Sequence, residues 1–279
     1  MSIRQTAITN AFRVLQTTGL SQLFAPFTQG CGAVFMLHRV RPARSGGFQP
    51  NRHLEISPEF LRATVERIRA NGYKIIALDE AVDLLKSGYG RERYAVLTFD
   101  DGYRDNLEYA LPVLKELGAP FTVFVASGLV DRSSELWWQA LELIIAANDQ
   151  IVFSSEADEP TVCESVDEKC SCFNRLVAHL KNDVSEGDQR AIIRALSSQY
   201  GIDLSELADQ EMMTWDEVRE LASDPLVTIG AHTHDHFALA RLPEDAARQD
   251  IEKGLERLEA ELGQRPKHFA YPYGKHNAV

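Results

Sequence analysis

Short apolar runs rich in β-branched and aromatic residues alternate along the chain with longer stretches in which apolar residues recur every three or four positions. The first pattern predicts buried strands and the second predicts amphipathic helices. The predicted strands span residues 33–38, 74–78, 95–99, 121–125, 226–230 and 267–271. Helices are predicted between them at about 58–71, 79–87, 105–117 and 244–262. This alternation indicates an α/β fold with a parallel sheet, either open or closed into a barrel.

A (β/α) barrel is the preferred arrangement. Polar, chemically suggestive residues follow several of the strands directly, which is where barrel enzymes of this kind hold their sites. The runs AVLTF and FTVFV are apolar throughout, as in strands that are covered on both faces. We therefore assign residues 31–279 to the barrel and residues 1–30 to an amphipathic helix with its lead-in.

The stretch from about 131 to 213 interrupts the alternation. It contains a helical segment with Trp137 and Trp138 and further helical patterns near 168–182 and 188–200. We expect a helical insertion over or beside the barrel, without a large core of its own. The two tryptophans are expected to pack inside it, with a sugar-stacking role for at most one of them as the alternative. After it, Thr214 and Glu217 form a capping-box pattern that predicts a helix start.

The first residues predict an amphipathic helix over about 5–24, with Phe12 and Leu15 among its apolar positions. Packing of this helix on the barrel is the favoured interpretation, and contact with a membrane surface is the alternative. No apolar run approaches the roughly 20 residues that a membrane span needs. Polar residues interrupt the first twenty positions, so no signal peptide is predicted, and a cytoplasmic location is expected.

Composition narrows the range of partners. With 44% hydrophobic and 25% charged residues, the 279-residue chain has enough apolar material for a core, which excludes wholesale disorder. The 29 basic and 41 acidic residues leave a net charge of −12, without a conspicuous basic cluster. Nucleic acid and anionic membranes are therefore poor candidates for partners.

Two adjacent carboxylates, Asp100 and Asp101, follow the apolar strand predicted at 95–99. Carboxylates in such a place repel each other and lose solvation, so something must compensate their charge. A divalent cation combined with a proton-transfer role would do so. The alternative is that one of them caps the helix that begins near Asp105 while the other is solvated.

Three histidines lie within five residues after the strand predicted at 226–230. In a helical turn, the imidazoles of His232 and His236 would face the same way and could hold one ion, whereas His234 would lie outside. With Asp101 as a third ligand, the set of two nitrogens and one oxygen is typical of a catalytic zinc site that leaves a position open. Chance clustering on a solvated loop is the alternative.

A third segment, 268–274, ends a predicted strand in a Pro-Tyr-Gly turn. Backbone amides in such a turn can point at a developing oxyanion, and aromatic rings can stack on sugars. On its own this signal is weak, because a plain strand terminus has the same appearance.

Together, the segments TFDDGY, HTHDH and FAYPYG resemble, in order, three motifs of the polysaccharide deacetylases, the carbohydrate esterase family of the NodB-type chitooligosaccharide deacetylases. The resemblance covers roughly residues 33–279 and looks like a bacterial branch. It implies a distorted (β/α) barrel and a metal-dependent enzyme, with zinc as the expected ion, that removes N-acetyl groups from N-acetylglucosamine-containing oligo- or polysaccharide. In the roles it implies, Asp100 is the general base, Asp101, His232 and His236 hold the metal, and the Tyr273 amide helps to bind the oxyanion.

The sequence departs from the family pattern in two respects. Six strands are too few for a closed barrel, and the general-acid histidine that the family places after the third motif has no counterpart, so we expect the closing strands to be missing. The arginine that many members place near the base is also absent, with Ala270 near that position. Little or no deacetylase activity is therefore expected of the chain as given. If it is active, His38 and His268 are the first candidates as proton donors, although a structural, hydrogen-bonded role is the preferred interpretation of His38, and His276 is expected to be a tail residue. A glycan-binding pseudoenzyme and an amidase for small non-sugar amides are the alternative functions.

Overall fold

The centre of the molecule is a parallel β-sheet. The computed structural model describes residues 3–20, 23–24, 30–88, 93–153 and 160–274. Their strands are β1 Gly32–Leu37, β2 Arg39–Val40, β3 Glu55–Ile56, β4 Tyr73–Ile75, β5 Arg93–Phe99, β6 Phe121–Val125, β7 Gln150–Ile151, β8 Thr161–Val162 and β9 Val227–Ala231. Five of them form the main sheet in the order β1-β5-β6-β9, with β4 also paired to β5. All pairings in this sheet are parallel, which confirms the predicted α/β class.

Helices connect the strands and cover the sheet. They are α1 Ile3–Thr17, α2 Pro58–Ala70, α3 Leu78–Ser87, α4 Leu111–Glu116, α5 Ser127–Val130, α6 Trp137–Ala147, α7 Val166–Asn182, α8 Glu186–Gln199, α9 Leu204–Glu211, α10 Trp215–Ala222 and α11 Glu244–Leu262. A π-helical turn, Asn106–Ala110, leads directly into α4. The predicted capping box is present, since Thr214 Oγ1 accepts from the amide of Glu217 while the Glu217 carboxylate accepts from the amide of Thr214.

The predicted strand at 267–271 is reduced to one bridge, in which Phe269 pairs in parallel with Ala231. The Ala231 amide donates to the carbonyl of His268 at 2.9 Å, and the Ala270 amide donates to the carbonyl of Ala231 at 3.0 Å. Among the described residues, this segment and β1 therefore lie at opposite edges of the sheet. On β1, Val34 and Met36 are about 60% exposed.

The first hydrophobic core lies between the sheet and helices α2, α4, α10 and α11. Leu97 and Phe99 of β5, with Phe121 and Val123 of β6, are at most 1% exposed. The rings of Phe99 and Phe121 meet edge to face, with centroids 5.5 Å apart. These two strands are covered on both faces, which is why their sequences lack polar alternation.

The insertion has a large core of its own, contrary to the expectation from sequence. Trp137, Leu141 and Ile144 of α6 pack with apolar residues of α7 and α8 in a second cluster about as extensive as the first. Tyr103 and Leu129, which lie next to the sheet, also belong to this second cluster. The prediction failed because helices that each bury one apolar stripe can build a core jointly, which no single helical pattern reveals.

Helix α1 covers the first part of the predicted 5–24 stretch and ends at Thr17, and its described apolar side chains do not pack on the sheet domain. Ile8, Phe12 and Leu15 are 48%, 66% and 38% exposed. The preferred interpretation of this helix was therefore wrong. Periodicity determines which face of a helix is apolar, whereas the partner of that face depends on tertiary structure.

Candidate metal centre

The ends of the four neighbouring strands β1, β5, β6 and β9 bring the first two motifs together. Asp100 and Asp101 follow β5, and the amide of Asp100 donates to the carbonyl of Leu37 at the end of β1 (2.9 Å). His232 follows β9, and its amide donates to the carbonyl of Val125 at the end of β6 (3.1 Å). Parallel pairing therefore places residues that are far apart in sequence at one edge of the sheet.

Asp101, His232 and His236 converge at this edge. One potential ligand atom from each residue lies within 4.8 Å of the others, and all three residues are buried. Asp101 Oδ1 is 3.0 Å from Nε2 of His236 and 3.5 Å from Nε2 of His232, yet it has no hydrogen-bond partner. Buried acceptor atoms that face one another without hydrogen bonds fit a cation between them.

The two histidines are oriented by backbone and hydroxyl groups. Nδ1 of His232 lies 2.9 Å from the carbonyl of Ala270, which leaves Nε2 directed at Asp101. The amide of His236 donates to Thr233 Oγ1 at 3.0 Å. The loop is not a helical turn, so the predicted backbone geometry was wrong. The imidazole rings of His232 and His236 nevertheless lie close together. The third motif thus contributes a carbonyl that orients a possible ligand, which side-chain chemistry could not reveal.

Backbone strain is concentrated at this place. Among the described residues, five non-glycine residues have positive φ, and four of them lie in the three motifs: Asp101 (75°), Thr233 (65°), His236 (54°) and Tyr273 (60°). Such conformations cost free energy and persist where surrounding contacts enforce them, typically at functional sites. They let the chain turn sharply enough to direct the side chains inward.

Asp100, the other carboxylate of the pair, is also buried. It is 5% exposed, and its Oδ1 has no hydrogen-bond partner. No described backbone amide donates to either carboxylate, so the alternative of a helix cap is wrong. Burial raises the pKa of Asp100 above its ordinary value, and the negative charge of Asp101 adds to the rise. A raised pKa brings a carboxylate closer to the range that suits a general base.

The pKa values of Asp101 and His236 are lowered, whereas the pKa of His232 is raised by its contact with Asp101, although burial opposes that rise. Although burial alone would raise it, the pKa of Asp101 is held well below its ordinary value by the rings of His236 and His232. Burial lowers the pKa of His236 to about 4. An ionised carboxylate and a neutral imidazole are the protonation states that metal ligands require.

Helix α11 supports the histidine loop from outside. Asp250 Oδ1 accepts from the amide of Asp235 at 2.7 Å, and the backbone carbonyl of Asp250 accepts from the amide of His234 at 3.2 Å. One turn later, a Cβ on Gly254 would lie 2.6 Å from the carbonyl carbon of Thr233, so only glycine allows this approach. These two positions were missed from sequence, where they look like ordinary helix residues.

A cavity of about 380 Å³ opens in front of the strand ends. One side is formed by His38, Asp100, Asp101, His232 and His236, and the other by insertion residues that include Trp137, Trp138, Phe173, Val177 and Gln189.

His234 stays outside, as predicted, and contacts Ser127. His268 also lies away from the cavity, where it contacts Asp79 at 2.7 Å, and His276 lies outside the described residues.

The third motif reaches the cavity through Tyr273. Its hydroxyl accepts from Nε1 of Trp137 at 2.9 Å, and its ring centroid lies 4.9 Å from that of His236. Nε1 of Trp138 donates to the hydroxyl of Tyr103 at 3.0 Å. Both tryptophans are buried, as expected for packing, and both also line the cavity.

Comparison with known sequences decides the family. A sequence model of the family described as polysaccharide deacetylase matches residues 87–155 and 187–279, more than half of the chain. The chain belongs to the polysaccharide deacetylase family. It is also 34% identical over 104 residues to YxkH of Bacillus subtilis (strain 168), whose name places it among the polysaccharide deacetylases. That match spans 37% of this chain and about a third (34%) of YxkH.

Solved structures of deacetylases share the fold. The deacetylase PplD of Streptococcus pyogenes in complex with acetate has a TM-score of 0.53 at 16% identity and covers 88% of this chain and 75% of that chain. IcaB from Ammonifex degensii has a TM-score of 0.52 at 20% identity, with 88% and 76% covered. A de-N-acetylase from Aggregatibacter actinomycetemcomitans has a TM-score of 0.53 at 18% identity, with 88% and 81% covered.

In this member of the family, the residues that the family model matches do not include the whole wall of the cavity. Residues 156–186, which the family model leaves unmatched, contain α7. Phe173 and Val177 of α7, one helical turn apart, line the cavity. The family model therefore includes Asp100, Asp101, His232 and His236, whereas Phe173 and Val177 lie in a segment that it does not match.

Proposed function

We propose that this chain is a metal-dependent hydrolase that removes N-acetyl groups from N-acetylglucosamine-containing oligo- or polysaccharide. The observation that carries the proposal is the convergence of Asp101, His232 and His236 at 4.8 Å or less, beside the separately buried Asp100. Membership of the polysaccharide deacetylase family supports the reaction class. For the domain as a whole, we propose the distorted (β/α) barrel of that family.

The donor set fits a zinc-type cation. Asp101 would bind it through a carboxylate oxygen, and His232 and His236 would bind it through Nε2. When bound, such a cation polarises a carbonyl and lowers the pKa of water towards about 7. The carbonyl of Ala270 would keep His232 in the tautomer that ligation needs.

Asp100 is proposed as the general base. Its carboxylate lies at the cavity wall with an unpartnered oxygen, and its pKa is raised by burial, so it can accept a proton from the attacking water. The Tyr273 amide is proposed to stabilise the oxyanion that forms from the acetamide carbonyl.

His38 is proposed as the group that protonates the departing sugar amine. It lines the cavity with Asp100 and Asp101, whereas His268 is engaged with Asp79 elsewhere. The described residues of the cavity wall therefore include a candidate proton donor. On this proposal, the present chain is active.

The opposite wall of the cavity is suited to a sugar. Its tryptophans and aliphatic side chains offer apolar surface to a pyranose ring, and the cavity volume lies within the range of small-ligand sites. These contacts would position the acetamide carbonyl between Asp100 and the metal ligands.

The test is to measure zinc content and acetate release from chitooligosaccharides on the same samples. The wild type is expected to contain stoichiometric zinc and to release acetate, and Asp101→Ala is expected to lose both. Asp79→Ala is the matched control, because Asp79 is a carboxylate in contact with a histidine outside the cavity. Zinc without acetate release in the wild type would favour a pseudoenzyme, and unchanged release in Asp101→Ala would refute the metal site.

A further inference from the structure

The first helix presents an uncovered apolar stripe. Ile8, Phe12 and Leu15 of α1 recur at helical spacing, so they share one face, and they are 48%, 66% and 38% exposed. Large apolar side chains that are exposed singly are ordinary, whereas a contiguous stripe on one helix marks an interaction surface.

The opposite face of α1 is polar but contains no acidic residue. Thr9, Asn10 and Arg13 are exposed there, at positions that complement the apolar stripe. A helix with one apolar and one polar face is suited to lie in the plane of a membrane interface. No described helix is long and apolar enough to cross a bilayer, so contact with the surface is the arrangement that α1 itself allows.

Charge is distributed unevenly along the chain. Residues 1–54 contain six arginines and no aspartate or glutamate, although the whole chain carries a net charge of −12. The other 23 of the 29 basic residues and all 41 acidic residues follow. Three of the early arginines, Arg39, Arg41 and Arg44, pair with carboxylates beyond residue 54, whereas Arg4 and Arg13 belong to α1. The helix is thus a cationic segment on an anionic protein, which net charge alone concealed.

We propose that α1 binds the surface of a membrane that contains anionic lipids. The stripe formed by Ile8, Phe12 and Leu15 enters the interface between headgroups and acyl chains, and the positive charge of the helix favours anionic headgroups. The acidic sheet domain is repelled by the same surface, so the contact is confined to α1. This proposal does not depend on the metal centre or on its substrate.

The experiment is sedimentation of the full chain with vesicles of phosphatidylcholine alone and of phosphatidylcholine mixed with phosphatidylglycerol. We expect binding to the mixed vesicles that weakens at high salt. Phe12→Glu should reduce the apparent affinity at least about tenfold, because it removes an aromatic side chain that enters the membrane interface and adds a negative charge there. Asn10→Glu adds the same charge to the polar face and should cause a much smaller loss. Circular dichroism should show unchanged thermal unfolding in both variants.

Three outcomes would overturn the proposal. The first is that the wild type does not sediment with either kind of vesicle. The second is an equal loss in Phe12→Glu and Asn10→Glu, which would show that charge alone acts and that the apolar stripe is not inserted. The third is a concentration-dependent dimer in analytical ultracentrifugation that Phe12→Glu dissociates, because a second copy would then cover the stripe.

Discussion

The strand ends and the helical insertion contribute different groups to the same cavity. The strand ends supply Asp100, Asp101 and the two histidines, which are positioned by backbone hydrogen bonds and by strained turns. The insertion supplies side chains such as Trp138 and Phe173, which project from packed helices. The family model matches the first group and leaves α7 unmatched.

This difference indicates a division of labour between chemistry and recognition. Groups that must meet within a few ångströms are held by the backbone at the sheet edge, because small displacements there are costly. Side chains of the insertion shape the volume that faces them, and they can vary without moving the reacting groups. The following experiments perturb one or both of these regions, most of them with a matched second variant.

The largest effect is expected from Asp100→Asn. The change preserves the shape of the side chain but removes its ability to accept a proton, so turnover should fall about 10²- to 10⁴-fold. Zinc content should stay at the wild-type level, since Asp100 is not among the converging ligand atoms. Acetate release and metal analysis on one sample measure both quantities. Loss of zinc in this variant would mean that the roles of Asp100 and Asp101 have been misassigned.

The next effect concerns the two cores. Leu97→Ala in the first core and Leu141→Ala in the second each truncate a fully buried side chain and should lower the free energy of unfolding by about 2–5 kcal/mol. Because Tyr103 and Leu129 connect the sheet to the second core, both variants should shift one common transition. Thermal unfolding followed by circular dichroism and tryptophan fluorescence checks this. Two separate transitions, with only one of them moved by Leu141→Ala, would contradict a cooperative unit.

Gly254→Ala tests how the histidine loop is supported. Alanine is a better helix former by about 1 kcal/mol, yet its Cβ would meet the backbone of Thr233 and His234 at less than 3.0 Å. We therefore expect lower stability and weaker zinc binding. Gly187→Ala is the control, because a Cβ there meets no atom closer than 3.9 Å, and that variant should be as stable as the wild type or more so. If both variants behave alike, α11 does not position the loop.

The smallest effect is expected at the insertion wall. The Nε2 of Gln189 donates to the carbonyl of Leu180, and its buried Oε1 has no partner, so a substrate donor could satisfy it. Gln189→Met should raise KM about tenfold with little change in kcat, as for one lost hydrogen bond. Gln139→Met is the control, because Gln139 also has an unpartnered Oε1 but does not line the cavity. Equal changes in both variants would point to a purely structural role.

Much of the sheet and several site candidates could be predicted from local patterns. The helix predicted at 244–262 has those bounds in the structure, and the strand at 121–125 is likewise unchanged. The aspartate pair and the histidine pair were visible because acids and histidines directly after apolar strands are unusual. By contrast, the helical turn expected for the histidines was wrong, because Thr233 and His236 have positive φ values. The loop is held instead by a contact distant in sequence, in which Asp250 accepts from the amides of His234 and Asp235.

The sequence by itself determined the alternation of strands and helices, the apolar stripe of α1 and the residue types able to hold a metal. These properties depend on periodicity and on chemistry carried by neighbouring residues. Only the tertiary structure decided that the carbonyl of Ala270 orients His232, that Gly254 admits the histidine loop and that the insertion forms the cavity wall. The physical reason is that each of these is a contact between segments far apart in sequence, made through backbone atoms or packed surfaces that no local pattern encodes.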